Sequence, residues 1–258
     1  MYNNSANTKF TGKSIHFLPS CHSTNTVAID LIRTQKGVNG LIVITNEQTA
    51  GRGQQGNSWL SAANLNLTFS VIFFPTCYFI ADSFYLNIIS SLAVSETLKQ
   101  FLPLDKQVTV KWPNDIYIGN KKVSGILIEN TTRSNKINSV VMGIGINVNQ
   151  ALFNLPQATS LMQEAENELN LQEVFSQLCE SIEFYYLKLE QGYKKELHAL
   201  YMQKLFGINK TLSFADAEGT FSGIIRGINA NGELHIEKES GEVKSYAFKE
   251  VTFLIDPV

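Results

Sequence analysis

Cysteine is scarce in this chain: three residues, Cys21, Cys77 and Cys179, are scattered over 258 positions. An odd number with no short spacing excludes a disulfide framework and any Cys-based metal motif. The four histidines, His16, His22, His198 and His235, are equally dispersed, with no metal spacing and no Cys–His or Ser–His–Asp set. Long hydrophobic runs are missing too. The most apolar stretch, LTFSVIFF at 67–74, is too short to span a bilayer as a helix, and the N-terminal MYNNSANTKF has no apolar signal core. Neither sign of charge prevails. Lys plus Arg is 21 against 23 for Asp plus Glu, a net charge of −2, which lacks the basic footprint of a nucleic-acid binder. These absences predict a reduced, cytoplasmic protein with no DNA and no membrane among its partners.

What is present has mixed periodicity. Ser14 to Leu18 reads as a strand, and Ser23 stands as a cap before a helix in TNTVAIDLIRTQ. LIVIT after Gly40 is a buried-strand run, and LNLTFSVIF sets Leu65, Leu67, Phe69, Val71 and Phe73 on one strand face. Residues 82–101 carry Phe84, Ile88 and Leu92 at helical spacing. VTVKW is a strand broken by Pro113, DIYIGNKKVSGILIEN a hairpin turning at Gly119–Asn120, and SVVMGIGINVN a strand whose glycines permit close approach. Helix dominates 161–206, with Leu171, Val174, Leu178 and Ile182 in register. From Lys210 onward, short alternating strands are separated by turns at Ala217–Gly219, Asn229–Gly232 and Ser240–Gly241. The pattern predicts an α/β (α+β) unit over 1–207 and a small all-β module over 208–258.

Three stretches concentrate chemistry. QTAGRGQQGNSW at 48–59 puts glycines around Arg52 and sets Trp59 just beyond. KWPNDIYIGNKKVSGILIE at 111–129 places Lys111 at a strand end, Asn114 and Asp115 at a chain break, and Lys121 and Lys122 past a turn. GIGIN at 143–147 ends in an amide. Taken singly, each reads as a turn or a solvated charge. Together they describe a polyphosphate site: arginine forks onto phosphate oxygens, lysine supplies a point charge, and Asp115 is placed to hold Mg²⁺ alongside phosphates. There is no GxxxxGK[ST] and no GxGxxG after a strand, so the site is neither a P-loop nor a dinucleotide fingerprint.

Ser23–Thr24–Asn25, QTAGRGQQGNSW, KWPNDI, KVSGILIE and GIGIN, in this order, resemble the biotin–protein ligases (biotin–[acetyl-CoA-carboxylase] ligases), at motif level over about 15–150 and in architecture over the whole chain. The resemblance implies a mixed sheet with helices, like that of class II aminoacyl-tRNA synthetases, followed by a small SH3-like barrel. Too few residues precede the first strand for the DNA-binding domain that some members carry, so the chain resembles the ligase-only class. The resemblance further implies that Ser23, Thr24, Asn25, Gln48, Gly51, Arg52, Lys122, Gly125 and Ile126 contact biotin. It puts Arg52, Gln54, Trp59, Lys111, Asn114, Asp115 and Asn147 on ATP or the adenylate, with Lys122, Arg52 and Lys111 catalytic and Asp115 on Mg²⁺. One departure stands out: where many members have a second arginine after GRG, this chain has Gln54.

The implied reaction has two steps. The biotin carboxylate attacks the α-phosphorus of ATP, and a lysine amine on a biotin carboxyl carrier protein, of acetyl-CoA carboxylase or a related carboxylase, then takes the acyl group from biotinyl-5′-AMP. Bringing two anions together calls for fixed cations rather than a protein nucleophile. The glycines of 51–56 predict a loop that is open without ligand and closes over the adenylate. Two other readings remain at this level: a lipoate or octanoate ligase of the same fold, and a non-catalytic vitamin-binding module.

Overall fold

The computed structural model describes residue 2 and residues 6–76 and 78–255; Cys77 lies outside these. In chain order, β1 (Ile15–Cys21), α1 (Thr24–Arg33), β2 (Ile42–Gln48), β3 (Leu67–Phe73), α2 (Phe84–Lys99), β4 (Val108–Lys111), β5 (Asp115–Ile118), β6 (Lys121–Arg133) and β7 (Lys136–Ile146) are followed by helices α3 (Leu161–Ala165), α4 (Leu171–Glu190) and α5 (Lys194–Lys204). The strands form one seven-stranded sheet in the order β1-β2-β3-β7-β6-β5-β4. β1 and β2 are parallel, joined through α1, and the other neighbours are antiparallel. A parallel pair needs such a crossover, and the helical stretch after Ser23 provides it.

The sheet is covered on both faces, so β3, read from its alternation as a one-faced strand, is buried at all seven positions. Leu67, Phe69, Val71 and Phe73 join the large core, while Ile72 joins Val43, Val141 and Ala28 beneath α1. α2 lies in that large core, packed against α4, α5 and β4–β6. Even its Ser90, Ser91, Ser95 and Thr97 are buried. Ser90, Ser95 and Thr97 bond back to carbonyls three or four residues earlier, which satisfies those three hydroxyls, while the Ser91 hydroxyl is buried without a partner. The single-stripe pattern expected from sequence is therefore an all-round burial.

Strands β8 (Thr211–Asp216), β9 (Gly219–Ile228), β10 (Leu234–Lys238), β11 (Val243–Tyr246) and β12 (Thr252–Leu254) form a second, five-stranded antiparallel sheet in the order β11-β10-β9-β8-β12. This mixed-plus-antiparallel architecture is the expected fold class, and the second sheet is compatible with an SH3-like barrel. The two sheets meet at Trp112, whose buried indole N–H donates to the Gly232 carbonyl at 2.8 Å and whose ring meets Phe248 edge-on at 6.0 Å. No helix among the described residues is long and apolar enough to cross a membrane.

Candidate active site

The register of β3, β7 and β6 aligns Ser70 with Gly143, Gly143 with Leu127, and Gly145 with Gly125. These positions share the sheet face beneath α1, and the glycines strip it of side chains. Two neighbours move into the space. An added Cβ on Gly143 would overlap the Asn25 amide, and one on Gly145 would overlap the Trp59 indole. The glycines of GIGIN are thus required by close approach of side chains rather than by turn geometry.

The floor is polar and mutually bonded. Ser23 is the N-cap residue of α1, as its sequence position suggests, but its side chain makes no capping bond. Instead Gln48 Oε1 accepts from the Thr24 backbone N–H at 2.7 Å and from its hydroxyl at 3.2 Å. Ser70 Oγ lies 2.7 Å from Thr24 Oγ1 and 2.6 Å from Asn25 Oδ1, so its one proton serves one of them at a time. A cross-strand glutamine at the end of β2 has taken over the cap's task.

The KWPND segment forms the wall. Lys111 and Asp115 pair across β4 and β5, with a cis Trp112–Pro113 bond at the turn between them. The Asn114 amide donates to the Ile126 carbonyl, fixing the turn to β6. From behind, the fully buried Tyr201 of α5 donates to the Pro113 carbonyl at 3.0 Å, and Phe206 N–H donates to Val110. Lys122 Nζ is 2.6 Å from Asp115 Oδ1 and 5.8 Å from the Trp59 ring centroid. Lys111 Nζ lies over Tyr117 and Phe253, at 5.5 and 5.1 Å. Burial, assisted by the neighbouring Lys122, pulls the Lys111 amine below its ordinary pKa, against the opposing pull of Asp115.

These elements enclose a cavity of about 450 Å³. Its lining brings together Ser23, Thr24, Asn25, Gln48, Arg52, Gln54, Trp59, Lys111, Asn114, Asp115, Lys122, Gly125 and Ile126 from distant parts of the chain. Two residues singled out in the sequence lie elsewhere. Gly51 is buried at the loop root against Gln48 and the Trp59 backbone, and Asn147 is buried behind the floor, its amide donating to the Thr159 carbonyl at 3.0 Å. The loop that carries Arg52 is folded onto the site, held by Trp59 N–H to Gly51 O, by Gly53 N–H to Asn57 O, and by Arg52 to Glu129 at 2.7 Å.

Residues 17–147 match the model of the biotin/lipoate A/B protein ligase family, half of the chain. The chain belongs to that family. Within it, the bifunctional ligase/repressor BirA of Escherichia coli K12 is 31% identical over 250 residues, covering 93% of this chain and 74% of that protein. The biotin–[acetyl-CoA-carboxylase] ligase of Mycobacterium tuberculosis is 31% identical over 142 residues, 54% of this chain and 52% of that one. The biotin protein ligase of Aquifex aeolicus in complex with biotin and ATP superposes with a TM-score of 0.76 at 27% identity, covering 95% of this chain and 100% of that structure.

Two features of this ligase-family site were missed by sequence reasoning. The second sheet reaches the cavity through Phe248, Val251, Thr252 and Phe253, in a stretch without any motif. Glu129, the counter-ion of Arg52, sits inside the quoted KVSGILIE run. Its period-2 relation to Gly125 and Leu127 was the available signal, because it puts all three on the site face.

Proposed function

We propose that this family member is an ATP-dependent biotin–protein ligase. It forms biotinyl-5′-AMP from biotin and ATP, then transfers biotin to one lysine of a biotin carboxyl carrier domain of acetyl-CoA carboxylase or a related carboxylase. The observation that carries this reading is one cavity lined by four cations, Arg52, Lys111, Lys122 and Lys249, over a neutral hydrogen-bonding floor of Thr24, Asn25 and Gln48 that Ser70 backs from beneath. The floor offers amide and hydroxyl groups to an uncharged polar ring, with Ser23 and Thr24 nearest the start of α1. Gly125 and Ile126 shape its side. The cations meet the carboxylate and the triphosphate, whose mutual repulsion is the main barrier to the first step.

In this reading Lys122 faces the reacting carboxylate and α-phosphate, Lys111 the phosphates, and Arg52 both anions. Trp59 and Gln54 cover the nucleotide side, Asn114 holds the wall, and Asn147 supports the floor from behind. Asp115 is the single carboxylate of the cavity lining among the described residues, and no cluster of three or more His, Cys, Asp or Glu forms a metal cage there. That donor set fits Mg²⁺ arriving with the nucleotide, with Asp115 as its protein ligand. When bound, the ion would supply neutralising charge on the phosphates. Residues 1–207 serve as the catalytic unit, and 208–258 close one side of the cavity through Phe253 and Phe248.

The test is biotin-dependent exchange of labelled pyrophosphate into ATP, with lipoate and octanoate run in parallel, followed by the mass of a carrier domain incubated with the protein, ATP, Mg²⁺ and biotin. Exchange with biotin and a mass increase of one biotinyl group are expected. Exchange with lipoate instead would assign the other branch of the family, and biotin binding without exchange would leave a non-catalytic module.

A further inference from the structure

A second groove of about 500 Å³ adjoins the active-site cavity, between α2, the KWPND turn and the second sheet. The two linings share Gln54, Trp112, Pro113, Leu127 and Phe248. Contacts between the sheets build this groove. Trp112 Nε1–H donates to Gly232 O at 2.8 Å, and the Phe84 ring fills the space that a Cβ on Gly232 would need. Phe84 also meets Tyr201 edge-on at 5.9 Å, the residue that holds the Pro113 carbonyl. The charge of the groove is opposite to that of the cavity. The cavity lining carries Arg52, Lys111, Lys122 and Lys249, whereas among the described residues the groove lining has no lysine or arginine and one carboxylate, Glu233. Two amide oxygens of its lining residues, Gln54 Oε1 and Asn87 Oδ1, are buried with no hydrogen-bond donor.

We infer that this groove receives the acceptor lysine of the carrier domain in the second step, with Glu233 attracting its ammonium and Asn87 and Gln54 accepting N–H donors from the lysine and its flanking backbone. The inference rests on the biotin-ligase reading. Once the adenylate occupies the cationic cavity, the second substrate must reach the acyl carbon from another side. A lysine arrives as a cation, and four cations oppose its entry through the cavity itself, so its path calls for a lining of the other sign. The groove supplies one, and Gln54, uncharged, adds no cation where groove and cavity meet. Phe84, Pro113, Ile128 and Phe248 give apolar walls suited to the four-methylene stem of a lysine, whose head then seeks the polar groups. Buried acceptors without donors favour a ligand that brings N–H groups, and a nucleotide phosphate brings none. The transfer itself is simple in outline. The acceptor amine, having given one proton to water, attacks the acyl carbon. A C–N bond forms, the C–O bond to phosphate breaks, AMP leaves with the bonding pair, and the second proton of the nitrogen passes to water.

The test uses the full chain with Glu233→Gln, Glu233→Lys and Asn87→Leu, and reads the two steps separately. Glu233→Gln keeps the oxygen that accepts from Asn229 Nδ2, so it removes the charge without opening the turn. The first readout is biotin-dependent pyrophosphate exchange, which needs no carrier and should stay within about twofold of wild type in all three variants. The second is transfer from supplied biotinyl-5′-AMP to a biotin carboxyl carrier domain. The KM for the carrier domain should rise about 3-fold in Glu233→Gln and in Asn87→Leu, and about 10-fold in Glu233→Lys, with the Glu233→Lys effect shrinking as salt rises. Asn87→Leu removes a buried unpartnered oxygen and should melt no lower than wild type, which separates lost docking from lost folding. An unchanged carrier KM in Glu233→Lys, or exchange falling in step with transfer, overturns the proposal. Absence of biotin-dependent exchange in wild type would instead refute the ligase reading, and the acceptor role with it.

Discussion

Replacing Lys122 with alanine separates what this residue does for the fold from what it does for the reaction. Its ion pair with Asp115, 2.6 Å long, is about a quarter to a third exposed at each end. Such a pair contributes about 0–1 kcal/mol to stability. For a chain of this size that corresponds to a melting shift of at most about 2–4 °C. The effect on adenylate formation is larger, because charge on the α-phosphate grows toward the transition state in a partly dehydrated cavity. Losing one aimed donor there costs about 10²–10³ in rate, roughly 2.7–4 kcal/mol. Pyrophosphate exchange at varied ATP and biotin gives the turnover number and both KM values. A normal turnover number with only a raised KM in Lys122→Ala would refute the reasoning, since Lys122 would then bind ground and transition states alike.

Other outcomes follow from single features. Lys111 has its pKa depressed by burial, so its positive charge is lost as pH rises through a value below the ordinary 10.5. The alkaline limb of kcat/KM, which reports the free enzyme, should start below that value and move upward in Lys111→Arg; an unshifted limb would exonerate this residue. Gly143→Ala drives a methyl into the Asn25 amide and should cost about 1–3 kcal/mol of stability while raising the biotin KM; unchanged melting and kinetics would show that the floor yields easily. Glu183, buried on α4, accepts backbone N–H bonds from Lys9 at 2.5 Å and from Phe10 and Thr11 at 2.9 Å. Burial pushes its pKa up, but those bonds outweigh it and leave the carboxyl below its ordinary 4.5. Its stabilisation is therefore present above about pH 4.5 and lost as pH falls through the lower folded value. Glu183→Gln should lose about 1.5–3 kcal/mol at pH 7 and approach wild type in thermal melts on acidification; a penalty independent of pH would contradict this.

The local elements were legible because each has a short-range cause. The helix after Ser23, the hairpin at Gly119–Asn120, the strands either side of it and the late run of alternating strands follow from periodicity and turn chemistry within about ten residues. The clustering of Arg52, Lys111, Asp115 and Lys122 was legible as well, because residue types that tolerate poorly being buried alone are concentrated in three short stretches. Pairings that cross the chain were not. That β3 is covered on both faces, that Gln48 rather than Ser23 meets the start of α1, and that Glu129 neutralises Arg52 from 77 residues away are outcomes of packing. So is the arrival of Phe253 beside Lys111 from the second sheet. The sequence by itself determined which segments fold locally and which charges had to find partners, because propensity and charge are properties of residues. Only the tertiary structure decided who those partners are, because a hydrogen bond or an ion pair depends on a distance of a few ångströms, and sheet register sets that distance between residues that nothing in the linear order connects.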